Sequence, residues 1–355
     1  MASNPAADRA FRRELLYYVD ALAATVTLRP ERSDPSAHHH DAVDRQRAVA
    51  AAWVYMSCVA AWAEDHQLVR PLLRGSPDGL TRTTASGTVW LGRAFEQLAC
   101  HPATQWLMHP AYQPALWAGT PSPAACTALI DWWANDAPSL AYPTTETAPG
   151  SITGWPIGDL LPVLHDDRRA RNALVQTPYW VADLILDETL VPAVNEFRHE
   201  RLMRTIDPAC GTGHFLIRAV DYLWQWWTTG TITSAVTTRP PLTGGAVIPA
   251  EQAALRILAS VDGVELDPLT APVARFRMTI YLGHLLTVSG VLPGPLRLDR
   301  IRHAITPRIA VGDSLLIGLV SRSEYQRLHP SLAALPGAAF PLDDFAWPPE
   351  SPATA

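Results

Sequence analysis

The sequence of 355 residues contains no lysine; all 28 of its basic side chains are arginine. Charge of either sign is sparse, 17% of residues, and the formal net charge is −6. Non-specific affinity for duplex DNA comes from neutralising phosphates, so this balance argues against a strong stand-alone duplex binder. Cysteine is scarce too. Cys58, Cys100, Cys126 and Cys210 show no CxxC spacing and read as reduced, cytosolic thiols. No apolar run approaches the roughly 18 residues that span a bilayer. The start, Met1-Ala2-Ser3-Asn4-Pro5, lacks the apolar stretch of a signal peptide. The expectation is a cytoplasmic protein with no membrane segment. What the chain does have is apolar mass: 48% of it is hydrophobic, enough for one large domain or two ordinary ones.

Along the chain, Phe11, Leu15, Leu16, Val19, Leu22 and Ala23 recur at helical spacing. Residues 29–42 form a polar loop with Pro30, Pro35 and the triplet His38-His39-His40. With no cysteine nearby, the triplet reads as a solvated segment, and no metal site is expected. Residues 43–68 are strongly helical, with Val49, Trp53, Met56, Val59 and Trp62 on one apolar face. Further helices are expected near 88–99 and 122–134. Residues 135–153, rich in Pro, Thr and Ser, read as a linker. Trp132, Trp133 and Trp155 read as core or interface anchors. The pattern predicts an all-helical domain over 1–155.

From residue 156 strand-like runs, Met203–Ile206, Ala259–Val264 and Ile309–Val311, alternate with helices. Alternation of this kind implies a parallel α/β sheet with its ligand at the strand C-terminal ends. The stretch 229–249, rich in Thr, Pro and Gly, reads as a surface-loop insertion. The α/β domain is expected over 156–345, and 346–355 as a disordered proline-rich tail.

The most informative run is Asp207-Pro208-Ala209-Cys210-Gly211-Thr212-Gly213-His214-Phe215-Leu216. It sits between a strand and a helix. Glycines there let the backbone turn tightly and approach a ligand, and the helix start offers free N–H groups. A lone G-x-G also occurs in tight turns of other α/β proteins. The complete string resembles motif I of the adenine-specific DNA methyltransferases, a family whose loop cradles S-adenosylmethionine. The resemblance implies a Rossmann-like methyltransferase core, here with an incomplete sheet. It makes Asp207, Pro208, Ala209, Cys210, Gly211 and Gly213 cofactor-binding residues. Cys210 is expected to pack rather than to act as a nucleophile.

Three further strings stand in the family's order. Gln176-Thr177-Pro178-Tyr179 precedes a helix; by resemblance Thr177 helps hold the methionine carboxylate. Thr177 also suits an N-cap, and Pro178 a first turn. Val261-Asp262-Gly263-Val264-Glu265-Leu266-Asp267-Pro268 ends an apolar run in an acid, as ribose hydroxyls require. By resemblance Glu265 takes the ribose, Leu266 lies against adenine, and Asp267 caps the next helix. Ile309-Ala310-Val311-Gly312-Asp313 resembles the third motif, with Asp313 accepting from the adenine N6 amine. Residues 165–190, 204–223 and 263–277, with the helical stretch 48–73, resemble the large methyltransferases of phage-exclusion and restriction–modification systems.

One departure matters. The family's Asn/Asp-Pro-Pro-Tyr/Phe tetrapeptide, which holds and stacks on the flipped adenine, is absent. The nearest string is Trp347-Pro348-Pro349-Glu350. Trp347, Pro348 and Pro349 stand in the right order after Asp313 but lack the amide and the trailing aromatic. No catalytic residue is therefore assigned. The expectation is the S-adenosylmethionine-binding component of an N6-adenine DNA methyltransferase, split or truncated. A second polypeptide would supply the Asn-Pro-Pro-Tyr motif, target recognition and most DNA contact. The alternative is a catalytically inactive cofactor-binding or regulatory module of a phage-defence or restriction–modification complex. The resemblance implies direct displacement at the sulfonium methyl, without metal or covalent intermediate.

Overall fold

The computed structural model of the protein describes residues 5–30, 42–75, 86–141, 152–165, 177–198, 203–234, 236–301, 305–317 and 319–336. The His38–His40 triplet and the expected tail lie outside them. Contacts divide the chain into two compact units, residues 1–175 with 296–300, and residues 176–295 with 301–355. Among the described residues no helix is long and apolar enough to cross a membrane.

The first unit is built on helices α1 (Pro5–Ala23), α2 (Ala42–Asp65), α3 (Gly87–Leu98), α4 (Pro114–Trp117), α5 (Pro123–Asn135) and α6 (Trp155–Leu164). α2 is the core. Every residue from Val49 to Glu64 is buried, so the single apolar face expected of it was too narrow. Its many alanines let neighbours pack on all sides, since a small side chain keeps a helix thin. α1 contributes Phe11, Leu15, Val19 and Leu22, and α5 contributes Leu129, Ile130 and Trp133. Two polar tips inside this core are paired, as burial favours: Trp133 Nε1 donates to Ser57 Oγ at 2.9 Å. Tyr55 Oη donates to Ile157 O at 3.0 Å. Ser86 and Ser122 cap α3 and α5 by accepting from Val89 N and Ala125 N.

Two details differ from expectation. The unit is not purely helical: β1 (Thr27–Leu28) and β2 (Gly119–Thr120) pair antiparallel. The division between units falls after Val175 rather than Trp155, because α6 buries Ile157, Leu160 and Leu161 and receives the Tyr55 hydroxyl.

The second unit begins with α7 (Tyr179–Glu188) and α8 (Leu190–Glu196). There follow β3 (Thr205–Asp207), α9 (His214–Thr229), β4 (Thr231–Ile232), β5 (Leu242–Thr243), α10 (Ala250–Ser260), β6 (Val261–Glu265), α11 (Thr270–Val288), β7 (Arg308–Val311), α12 (Arg322–Leu328) and α13 (Pro330–Ala333). β3, β6 and β7 form one parallel sheet in that order, with Asp207 opposite Gly263 and Glu265 opposite Val311. β6 is central and buried along its whole length. The stretch 229–249 is more than a surface loop. β4 and β5 pair within it, and a Cβ on Gly245 would stand 2.9 Å from the Trp226 ring.

In the first unit, Glu64 is buried where α2 ends. Its carboxylate accepts from the backbone N–H groups of Leu72 at 2.9 Å, Leu73 at 2.9 and 3.0 Å, and Arg74 at 2.8 Å. Burial pushes its carboxyl up to about 7, although these donors and the Arg74 charge pull it down. The folded state therefore holds the proton more tightly than the unfolded chain. Stability contributed by the protonated form is present below the ordinary value of 4.5 and is lost as pH rises through about 7. Glu64→Gln is expected to cost about 1–3 kcal/mol, because its NH2 cannot accept these bonds. It should also flatten the decline in stability between those pH values, as read from urea melts.

Candidate functional site

The three parallel strands deliver three carboxyl groups to one end of the sheet. Asp207 closes β3, Glu265 closes β6, and Asp313 stands two residues beyond β7. Neighbouring strands are spaced by about 4.8 Å, so the acids line the sheet end in the order Asp207, Glu265, Asp313.

The loop after β3 bends directly onto β6. Asp207 Oδ1 accepts from Ala209 N at 3.1 Å and so forms the first turn. Cys210 N donates to Val264 O at 3.0 Å. Gly211 N donates to Glu265 Oε2 at 2.8 Å. The other carboxylate oxygen, Oε1, accepts from Asp267 N at 2.8 Å. Gly312 N donates to Glu265 O at 2.9 Å, so β7's exit is tied to the same residue.

This closeness needs glycine. A Cβ on Gly263 would meet Leu216 Cδ1 at 2.9 Å and Cys210 Sγ at 3.1 Å. Gly213, at φ +86, opens α9 from the left-handed region, and a Cβ there would stand 3.2 Å from Ala274 Cβ. Cys210 is buried, and its thiol is pushed well up by that burial and by Asp207 and Glu265. It is held as a packed thiol.

Burial raises the Asp207 carboxyl, against the Ala209 N–H. Burial raises Glu265 as well, with Asp267 and Asp207 adding to the push and two backbone N–H groups opposing it. The site end of the sheet thus concentrates acidic groups at a cost in desolvation and mutual repulsion. A ligand bearing positive charge and hydroxyl donors matches that field.

Thr177 leads into α7 but does not cap it. Pro178 occupies the N-cap position, and the helix has no side-chain cap. Proline ahead of the first turn fixes φ and displaces the capping role back out of reach. Asp267 does not cap α11 as expected: Leu269 holds the N-cap position and no side chain caps the helix, while Asp267 Oδ1 accepts from Leu269 N at 2.7 Å in the turn before it. Leu266 is 47% exposed, a free apolar surface beside Glu265. Pro208 lies in the exposed first turn of the loop. Trp347, Pro348 and Pro349 fall outside the described residues.

Several contributors were missed in the sequence. Arg277, fully buried on α11, donates from Nη1 to Thr212 O at 2.6 Å and to Thr212 Oγ1 at 3.0 Å. It holds the glycine loop from beneath. Arg275 donates from Nε to Ile309 O at 2.7 Å, on β7. Two arginines two apart in an otherwise apolar helix were the available signal. At the third acid, Asp313 Oδ1 accepts from Leu315 N at 3.0 Å, and Oδ2 meets His329 Nε2 at 3.1 Å. Asp313 N donates to Tyr325 Oη at 2.8 Å. Nothing in the sequence spacing marks Tyr325 and His329.

No family model matches the chain. In an alignment 302 positions long, covering 77% of this chain, it is 30% identical to the adenine-specific methyltransferase PglX of Streptomyces coelicolor, of which it spans 22%. Among solved structures, it matches a nuclease-deletion mutant of the Type ISP restriction–modification enzyme LlaGI in complex with a DNA substrate mimic. That match has a TM-score of 0.34 and 12% identity, over 86% of this chain and 19% of that one. The likeness to an adenine-specific methyltransferase, carried in the sequence by four short motifs, thus extends over most of the chain.

The glycine loop yields a test of its own. Gly213→Ala should destabilise the second unit by about 1–2 kcal/mol, the cost of a side chain in the left-handed region. Thermal melts of the folded variant measure it, and a neutral effect would show that the loop relaxes freely.

Proposed function

We propose that this chain, a relative of an adenine-specific methyltransferase over most of its length, is the S-adenosylmethionine-holding part of an N6-adenine DNA methyltransferase. It would act in the cytoplasm within a phage-defence or restriction–modification system, on a Rossmann-like core. The observation that carries this reading is the Gly211 N–H to Glu265 bond of 2.8 Å. It closes the motif I loop onto the acid of the neighbouring strand, with Asp313 next in line.

The residues present fit the cofactor. The loop Asp207, Pro208, Ala209, Cys210, Gly211 and Gly213 brings its backbone N–H groups to the end of β6, as at Gly211 and Glu265, where a cofactor would lie. Glu265 keeps lone pairs for ribose hydroxyls, Leu266 gives a surface for the adenine ring, and Asp313 takes its amine. Thr177 would meet the carboxylate. The bound cofactor supplies an activated methyl on a sulfonium. This chain's residues orient it and crowd acids around its positive charge.

Methyl transfer also needs an acceptor and an aromatic clamp for the flipped adenine. The sequence has no Asn-Pro-Pro-Tyr, so in this reading further polypeptide provides that motif and the DNA contacts. Among the described residues β3 pairs on one side only, and its Ile206 is 46% exposed. An unpaired strand edge is a site for added structure.

Calorimetry tests the reading. The chain should bind S-adenosylmethionine, and Asp207→Ala or Glu265→Ala should weaken binding by about 1–3 kcal/mol, the worth of bonds to a charged group. Undetectable binding at millimolar ligand would overturn it. Labelled-methyl transfer to duplex DNA is expected only when polypeptide bearing the missing tetrapeptide is added. Transfer by this chain alone, lost in Asp207→Ala, would refute the need for it. Binding without transfer in any combination would favour an inactive module.

A further inference from the structure

α7 and α9 are joined at two rungs. Asp183 Oδ1 accepts from Arg218 Nε at 2.6 Å, and Asp187 Oδ1 accepts from Tyr222 Oη at 2.9 Å. Both pairs are separated by 35 residues in sequence. An equal offset one turn apart means that the helices run parallel and in register. Carried back along both chains, the offset sets Tyr179 level with His214. The Thr177-Pro178 lead-in, just before Tyr179, and Thr212-Gly213, just before His214, therefore stand at the same end of the helix pair. Two helix starts therefore converge on one end, where backbone N–H groups and helix dipoles favour an anion.

Arg218 is the hub of this arrangement. Its side chain is 8% exposed and that of Asp183 is wholly buried. Its guanidinium carbon lies 4.1 Å from the centroid of the Tyr179 ring, on the first residue of α7. Nη1 pairs with Asp221, which also accepts from Tyr281 Oη on α11. One cation thus fastens α7, α9 and α11. A buried ion cluster is weak evidence for stability, because desolvation offsets the attraction. What it does fix is register: an α7 slipped by one residue would lose Arg218 and Tyr222 together.

We propose that Arg218 is a positioning residue for the amino-acid end of the cofactor, setting the height of Thr177 at the glycine loop by locking α7 to α9. This rests on the S-adenosylmethionine reading above. It predicts a selective effect. S-adenosylmethionine carries the carboxylate, whereas 5′-methylthioadenosine keeps the adenosine and sulfur but lacks the amino-acid end. Loss of the lock should weaken the first and spare the second.

The test uses the full chain and both ligands in calorimetry, with circular dichroism to confirm folding. Arg218→Met keeps the unbranched stem as far as the Nε position and removes the guanidinium and its charge. It should weaken S-adenosylmethionine about tenfold or more while shifting 5′-methylthioadenosine less than about twofold. Arg218→Lys restores charge without the planar fork and should recover part of the loss. Should Arg218→Met fail to fold, Tyr222→Phe removes the second rung alone and should weaken S-adenosylmethionine selectively, by about threefold. Equal weakening of both ligands, or of neither, in folded variants would overturn the proposal and leave the cofactor reading intact. If the unaltered chain binds neither ligand, the cofactor reading falls, and this inference with it.

Discussion

The second unit depends on one close approach, that of the loop after β3 to the end of β6. Two backbone donors, Cys210 N and Gly211 N, reach Val264 O and Glu265 Oε2 at 3.0 and 2.8 Å. Those distances exist because position 263 has no side chain, since a Cβ there would collide with Leu216 and Cys210. The strand pairing then follows as a frame for this contact. β6 is central because its end must face the loop on one side and, through Glu265 O and Gly312 N, the exit of β7 on the other. Arg277 completes the clamp from α11 by donating to the carbonyl and hydroxyl oxygens of Thr212. Take away any of these and the acids at the sheet end no longer share one register.

What could be read from the sequence was what is local. The strand–glycine–helix run at 203–220, the acid ending β6 and the apolar run before Asp313 each carry their own signature within ten residues; the strands form there, but β3 starts at Thr205 rather than Met203, and β6 at Val261 rather than Ala259, because α10 runs on through Ser260. What could not be read was pairing at a distance. Arg277 with Thr212, Arg218 with Asp183, and Asp313 with His329 and Tyr325 join residues whose separation obeys no periodicity. α2 was misjudged for a related reason. A helix seen alone shows its most apolar face, but alanine is neutral to burial until the neighbours are known, and here they cover every face from Val49 to Glu64. Thr177 was read as a cap from its residue type; the proline after it takes that position instead.

The division of the chain shows the same limit. Composition changes near residue 155, and a reader of composition places a boundary there. Packing places α6 with the first unit, because Ile157 and Leu161 are wholly buried and Ile157 O receives the Tyr55 hydroxyl from α2. Segment 296–300 returns to that unit as well: Leu298 is buried, and its N–H donates to Leu68 O at 2.9 Å. Such returns are invisible to any window that slides along the sequence.

The exclusive use of arginine acquires a physical meaning inside the second unit. Arg204 and Arg308, from either side of β6, grip the buried carboxylate of Asp262 at 2.6 Å each. Arg275 holds a strand carbonyl, Arg277 a loop, and Arg218 two aspartates and an aromatic ring. Each task uses a planar fork that meets carbonyls and carboxylates at several points while remaining charged in a poor solvent; an ammonium offers one point and loses its proton more readily. Arg218, Arg275 and Arg277, spent on internal partners, are buried and withdrawn from the surface. On a chain with net charge −6, this leaves still less positive field for phosphates than the composition suggests. The side chains that order the sheet end are of the type a duplex binder needs outside. In the enzyme proposed above, this fits a division in which holding the methyl donor and holding the DNA are separate tasks.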